Sequence, residues 1–223
     1  MKINFFVVFF LLGTAGLLGQ SKDPVNVSFD AFMTETQYIS DSMDSAELVW
    51  WLPIEYWVIS QAQDPTIGEA EVEAIRELLE PYELFVVVKG EVGYFGGITY
   101  ESREDIVSQL TVSFDGNVLP IVEEKSIAAD LVAFLSAMKP MMSSLLGPMG
   151  SNMHFILCDS MGKGIDINPT QTGLLFIQIG ELKKEVQLPL GSLLMEKKCP
   201  IDGKLHSGKW NFCPMHGKEL VQQ

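Results

Sequence analysis

Cysteine is scarce in this sequence. Three in 223 residues are too few for a disulfide scaffold, and an odd number leaves at least one thiol unpaired. Histidine is as scarce, with three, and only His154 lies ahead of the C-terminal tail. A Ser-His-Asp hydrolase in the body would depend on that one imidazole, and no nucleophile elbow accompanies it. Positive charge is short too: 15 Lys and Arg stand against 29 Asp and Glu, a net charge of −14. Such a chain repels nucleic acid and anionic membrane surfaces, so no nucleic-acid partner is expected. A second long apolar run is missing, which excludes a polytopic membrane protein.

The one apolar run is at the start. After Met1-Lys2-Ile3-Asn4 the chain is apolar from Phe5 to Leu18, short of the ~20 residues that a membrane span needs. One positive charge, this run and small residues at its end describe a secretory signal peptide over residues 1–19. Cleavage after Gly19 leaves Gln20 first, and Thr14-Ala15-Gly16 offers an alternative site. Position 20 is Gln rather than Cys, so no lipid anchor is expected. The mature chain is then exported, periplasmic or secreted, with no stable membrane span.

Residues 25–190 read as one α+β body. Phe29, Phe32, Met33 and Thr36 keep helical spacing. Pro53 suits a first helical turn and starts a helix to about Gln61. Just ahead and within it, Trp50, Trp51 and Trp57 read as a bulky core layer. Thr66-Ile67-Gly68-Glu69 has the capping-box pattern and opens a helix through Leu79, with Val72, Ile75, Leu78 and Leu79 inward. Short β-like runs follow over 84–89, 93–100, 109–114 and 118–122, the last two joined by an Asp115-Gly116 turn. Arg103, Glu104 and Asp105 read as a solvated connector. Another helix is expected from Ser126 through Met138, with Ile127, Leu131, Val132 and Leu135 inward, interrupted at Pro140 and resumed over 141–146. Strand 152–159 then precedes a hairpin of 174–179 and 185–188 across Gly180-Glu181. The resulting architecture is a mainly antiparallel sheet with two or three packed helices.

Within the body the chemical signals are thin. Six of the eleven methionines fall between Met138 and Met161. A soft Cu(I) site from Met138, Met141, Met142 and His154 competes with flexible core filling, and core filling is the simpler account. His154 and Cys158 share a strand face four residues apart, hence about 13 Å apart, too far to act as a nucleophilic pair. Gly162-Lys163-Gly164 lacks the rest of a phosphate-binding loop.

The tail, residues 191–223, reverses the charge balance. It has five lysines against three acids, whereas residues 21–190 carry 9 basic and 26 acidic side chains. Docking on its own body, or on an unidentified protein partner, follows from that contrast. The tail also repeats itself. Cys199-Pro200-Ile201-Asp202-Gly203-Lys204 returns fourteen residues later as Cys213-Pro214-Met215-His216-Gly217-Lys218. In each copy proline fixes φ after the cysteine and glycine closes the turn, so the cysteine and the residue three places on point the same way.

This pair of turns resembles the knuckles of the zinc-ribbon family, Cys-Pro-x-Cys-Gly, over about residues 198–220 only. The resemblance implies one tetrahedral zinc held by Cys199, Asp202, Cys213 and His216. Asp202 and His216 stand where the family has cysteine, and the harder carboxylate leaves His206 as a competing fourth ligand. Two other readings stay open: a Cys199–Cys213 disulfide, worth about 3 kcal/mol of loop closure, and a relic whose turn residues survive while its ligands do not. Trp210 and Phe212 are expected to pack the small hairpin. The function expected is that of a non-catalytic structural or interaction protein with a zinc-binding tail. A periplasmic module for an apolar ligand or copper, and a hydrolase or transferase with an unrecognised site, are the alternatives.

Overall fold

The computed structural model describes residues 20–64 and 66–222. The expected leader, residues 1–19, lies outside them. The fold is α+β, with antiparallel sheets and a small three-stranded sheet at the C-terminus.

The first sheet is built on two long strands with continuous apolar runs, Leu48 to Leu52 and Leu84 to Val88. β2 (Ser45–Leu52) pairs with β3 (Tyr82–Val92) along its whole length, from Ser45↔Glu91 to Leu52↔Leu84. The short β1 (Gln37–Ile39) flanks β2. On the far side of β3, β7 (His154–Asp159) takes the first half and β4 (Ile98–Tyr100) the end. Leu84 to Val88 are all buried, so both faces of this sheet are covered. Alternation on β2 shows by what. Trp50 points to the helices and meets Tyr56 edge-on at 5.4 Å. Glu47, on the opposite face, reaches the turn of the second sheet. That sheet runs in the order β6 (Asn117–Val118), β5 (Thr111–Phe114), β8 (Gly173–Ile179), β9 (Leu182–Leu188). The segment after β6 leads back to the first sheet along β7, where Val122 N donates to Leu157 O (2.8 Å) and Asp159 N to Pro120 O (2.8 Å).

The helices are α1 (Phe29–Thr36), α2 (Ile54–Gln63), α3 (Glu69–Leu79), α4 (Arg103–Gln109), α5 (Ala129–Leu146) and the single turn α6 (Pro148–Ser151). α1 starts where Ser28 Oγ accepts from Ala31 N, and α2 follows Pro53 as expected. The three tryptophans are core: Trp50, Trp51 and Trp57 are all buried. Trp57 joins α2 to α5 through Phe134, at 5.5 Å between ring centroids.

Several expectations need correction. α3 forms, but its N-cap is Gly68 with no side-chain bond. Thr66 instead bonds Asp64 Oδ1 through both its amide and its hydroxyl, so the capping box is replaced by an Asx turn one step earlier. The 103–105 connector is the first turn of α4, capped by Ser102 Oγ accepting from Asp105 N. Of the expected strand 93–100 only the last three residues pair. Gly93 to Gly97 make a turn, with Gly96 at φ +82°, that leaves Tyr94 and Phe95 almost wholly exposed.

The longest helix was expected to break at Pro140, yet α5 runs through it. A proline inside a helix costs about 3 kcal/mol. Met138 and Met142, one turn apart on either side, are 5% and 0% exposed, and burying each is worth about 1.5–3 kcal/mol. Packing therefore outweighs the lost bond. The inward row is Leu131, Leu135, Met138 and Met142, while Val132 is 41% exposed.

Candidate metal centre

β10 (Lys197–Lys198) lies between β11 (Leu205–His206) and β12 (Val221–Gln222). Buried Lys197 ties this sheet together, its Nζ donating to Trp210 O (3.0 Å) and Asn211 Oδ1 (3.1 Å). The repeat in the sequence is a repeat in the backbone. Cys199 N bonds Lys204 O and Gly203 N bonds Cys199 O; Cys213 N bonds Lys218 O and Gly217 N bonds Cys213 O, all at 2.8–2.9 Å. Gly203 and Gly217 take φ of +72° and +60°, which a side chain would resist. Two copies of one turn thus face each other.

Between them the sulfurs of Cys199 and Cys213 and a ring nitrogen of His216 all lie within 4.8 Å of one another. His216 Nδ1 is 3.4 Å from Cys199 Sγ and 3.5 Å from Cys213 Sγ. His206 Nε2 approaches Cys213 Sγ from another side, at 3.6 Å, its ring over Trp210 at 5.8 Å between centroids. His206 and Asp202 both stay outside the group of three: Asp202 neighbours Cys199, but its Oδ1 accepts from Lys204 N at 3.1 Å, and Lys204 Nζ lies 3.9 Å from Oδ2. Phe212 is 62% exposed and covers nothing. All three cysteines are free thiols, so the disulfide is not formed.

The electrostatics favour one thiolate. Burial pushes the Cys213 thiol up, but the amides of Met215 and His216, with the His216 ring and Cys199, outweigh it and bring it down to about 6. Cys199 is shifted the other way, by burial and by its neighbours Asp202 and Cys213. The Asp202 carboxyl is held low, chiefly by the Lys204 amide. A Cys2His group of this kind can hold a metal ion.

The other singled-out residues lie elsewhere. Cys158 is fully buried, and burial, aided by Glu83, pushes its thiol up to about 12, so it is inert. Met138 and Met142 fill the core while Met141 is half exposed, so these three do not converge on one point.

A second constellation was not visible in the sequence. Glu55 opens α2, Glu83 opens β3, and Asp166 follows β7; with Arg76 they line a cavity of about 320 Å³. Burial, together with the charges of Glu55 and Asp166, pushes the Glu83 carboxyl up to about 8, although Trp51 Nε1 donates to it at 2.8 Å. Burial also raises Glu55, against the pull of its own amide and of Arg76. A carboxyl raised on folding binds its proton more tightly in the native state, so stability is greatest below the unfolded value and is lost as pH rises through about 8. Glu83→Gln keeps an acceptor for Trp51 and removes the charge. It is expected to flatten the fall in Tm between pH 5 and 9, with a gain at pH 9 on the order of 3 kcal/mol. Parallel thermal melts of the two proteins across that range check this.

No protein-family model, no curated protein and no solved structure matches this chain.

Proposed function

We propose that this is an exported, non-catalytic structural or interaction protein whose C-terminal turns are folded around one zinc ion. Cys199, Cys213 and His216 are its ligands, with His206 as the fourth. The observation that carries the reading is the position of His216 Nδ1, nearly equidistant from two sulfurs. A ring nitrogen has one proton or one lone pair, so it satisfies one sulfur and not both; a cation among them satisfies all three. With Zn–S about 2.3 Å and Zn–N about 2.0–2.1 Å, a tetrahedral site has sulfur–nitrogen edges of about 3.5 Å. The separations of 3.4 and 3.5 Å fit that edge; His206, 3.6 Å from Cys213 Sγ but outside the group of three, would have to swing inward to complete the site. Two sulfurs and imidazole select zinc over magnesium or calcium. His206 is preferred to Asp202 because the carboxylate already caps its own turn at Lys204 N.

His206→Ala is therefore expected to weaken zinc at least tenfold, and Asp202→Asn less than threefold, in competition titrations with a chromophoric chelator. The reverse order would give the fourth position to Asp202.

The metal folds the tail, and the tail caps the body or engages a partner. Capping is supported by Lys209 Nζ donating to Gln187 O of β9 at 2.8 Å. It is supported too by Glu35 of α1, whose carboxylate accepts from Gly191 N (2.9 Å) and Ser192 N (2.8 Å) where the tail begins. No helix among the described residues is long and apolar enough to cross a membrane. The acid-lined cavity supports a second reading, acid–base catalysis. A Glu83 that keeps its proton at neutral pH beside Asp166 is the kind of pairing such chemistry uses.

A further inference from the structure

We propose that the body carries a binding site for a small carboxylate with an apolar tail, between α5 and the starts of α4 and β7. A cleft of about 170 Å³ opens there. Arg103, Lys139 and His154 line it together, three cationic or cationisable groups on three separate elements. In a chain with 26 acids against 9 basic residues over 21–190, such convergence runs against the composition.

Arg103 is the anchor. A terminal nitrogen of its guanidinium is shut off from water and has no hydrogen-bond partner. Among the described residues it makes no ion pair, although Glu104 and Glu123 line the adjoining groove and Glu124 lines both groove and cleft. Glu123 is taken by Lys125, at 2.6 Å. Leaving a buried charged donor unmet is costly, and a planar fork of donors matches a carboxylate edge to edge. His154 lies at the same centre: burial, then the nearby charges of Lys139 and Arg103, lower its affinity for a proton, against a bond to the Glu101 carbonyl and the charge of Glu104.

One acid, Glu124, also lines the cleft and makes no ion pair among the described residues, and apart from it and Ser136 the remaining lining is apolar. Leu135, Met153 and Phe155 form the inner part, and Val132 and Ser136 continue the same face of α5 as Lys139, at helical spacing. A head of fixed positive charge on an apolar slot is the chemistry that holds an organic acid rather than an inorganic anion. The volume is about that of six waters at about 30 Å³ each, which suits a chain of about six carbons.

The test is calorimetric titration of the full chain with sodium hexanoate, 1-hexanol and inorganic phosphate. Hexanoate is expected to bind with a Kd on the order of 1 mM, as its few atoms allow, and the other two at least tenfold more weakly. Arg103→Gln is expected to weaken hexanoate at least tenfold. Ser136→Phe, at an exposed helix position that tolerates bulk, is expected to block it with Arg103, Lys139 and His154 all in place. Circular dichroism of each variant verifies its fold. Absence of hexanoate binding, equal binding of phosphate, or unchanged affinity in the folded Ser136→Phe protein would overturn the assignment.

Discussion

Replacing Cys213 by serine is expected to lower zinc affinity by roughly two to three orders of magnitude and to unfold residues 197–222 while the body stays folded. The sulfur of Cys213 is the hub of the tail: it touches both His216 Nδ1 and His206 Nε2, and it is the thiol brought down to about 6. Serine offers neither a thiolate nor the reach. Among the described residues of 197–222 the buried apolar cluster is Cys199, Cys213 and Leu220, and so small a core cannot offset the ordering of its chain without a staple. The two parts can be watched separately. Trp210 lies against His206 in the tail, whereas Trp50, Trp51 and Trp57 are buried in the body. Loss of the Trp210 signal alone, on substitution or on chelation, is the expected result. A tail that kept its amide protection in the apo variant would show that the metal is not what folds it.

Glu47→Ala is expected to cost about 3–5 kcal/mol in urea unfolding, as much as truncating a large core side chain. Glu47 is 1% exposed. Its carboxylate accepts from Glu181 N (3.2 Å) and Leu182 N (2.9 Å), and so clamps the β8–β9 turn of one sheet onto β2 of the other. Truncation strands two amides between the sheets, each worth about 1–3 kcal/mol when left unmet. Gly180 belongs to the same device. At φ +51° it sits so close to Glu47 and the Lys89 stem that an added Cβ would collide with both. Glu47→Gln, which keeps an acceptor, is expected to lose less than half as much. An alanine variant within 1 kcal/mol of the parent would mean that water reaches those amides.

What was legible in the chain was whatever depends on near neighbours. Helical spacing gives α1 and α3, Pro53 marks the start of α2, and the β8–β9 hairpin follows from alternation around Gly180. The doubled Cys-Pro-x-x-Gly turn likewise places Cys199, Cys213 and His216 together, since its proline and glycine fix the backbone locally. The fourth ligand was not legible, because Asp202 lies beside Cys199 and His206 beside Cys213, and neither joins the group of three. α4 was obscured because its apolar residues Ile106, Val107 and Leu110 suit a strand as well as a helix, and the Ser102 cap is a weaker signal than they are. Continuity through Pro140 rests on the burial of Met138 and Met142 against elements distant in sequence. Glu47, Glu83 and Arg103 were illegible for the same reason. Each is one charged residue whose partners, or lack of them, are set by segments far along the chain.

The most direct test of the zinc assignment is elemental analysis of the full chain, purified without chelator, joined to mass spectrometry of its cysteines. About one zinc per chain, with Cys199 and Cys213 both alkylated only after the metal is removed, is the predicted result. Metal-free native protein with Cys199 linked to Cys213 would contradict it.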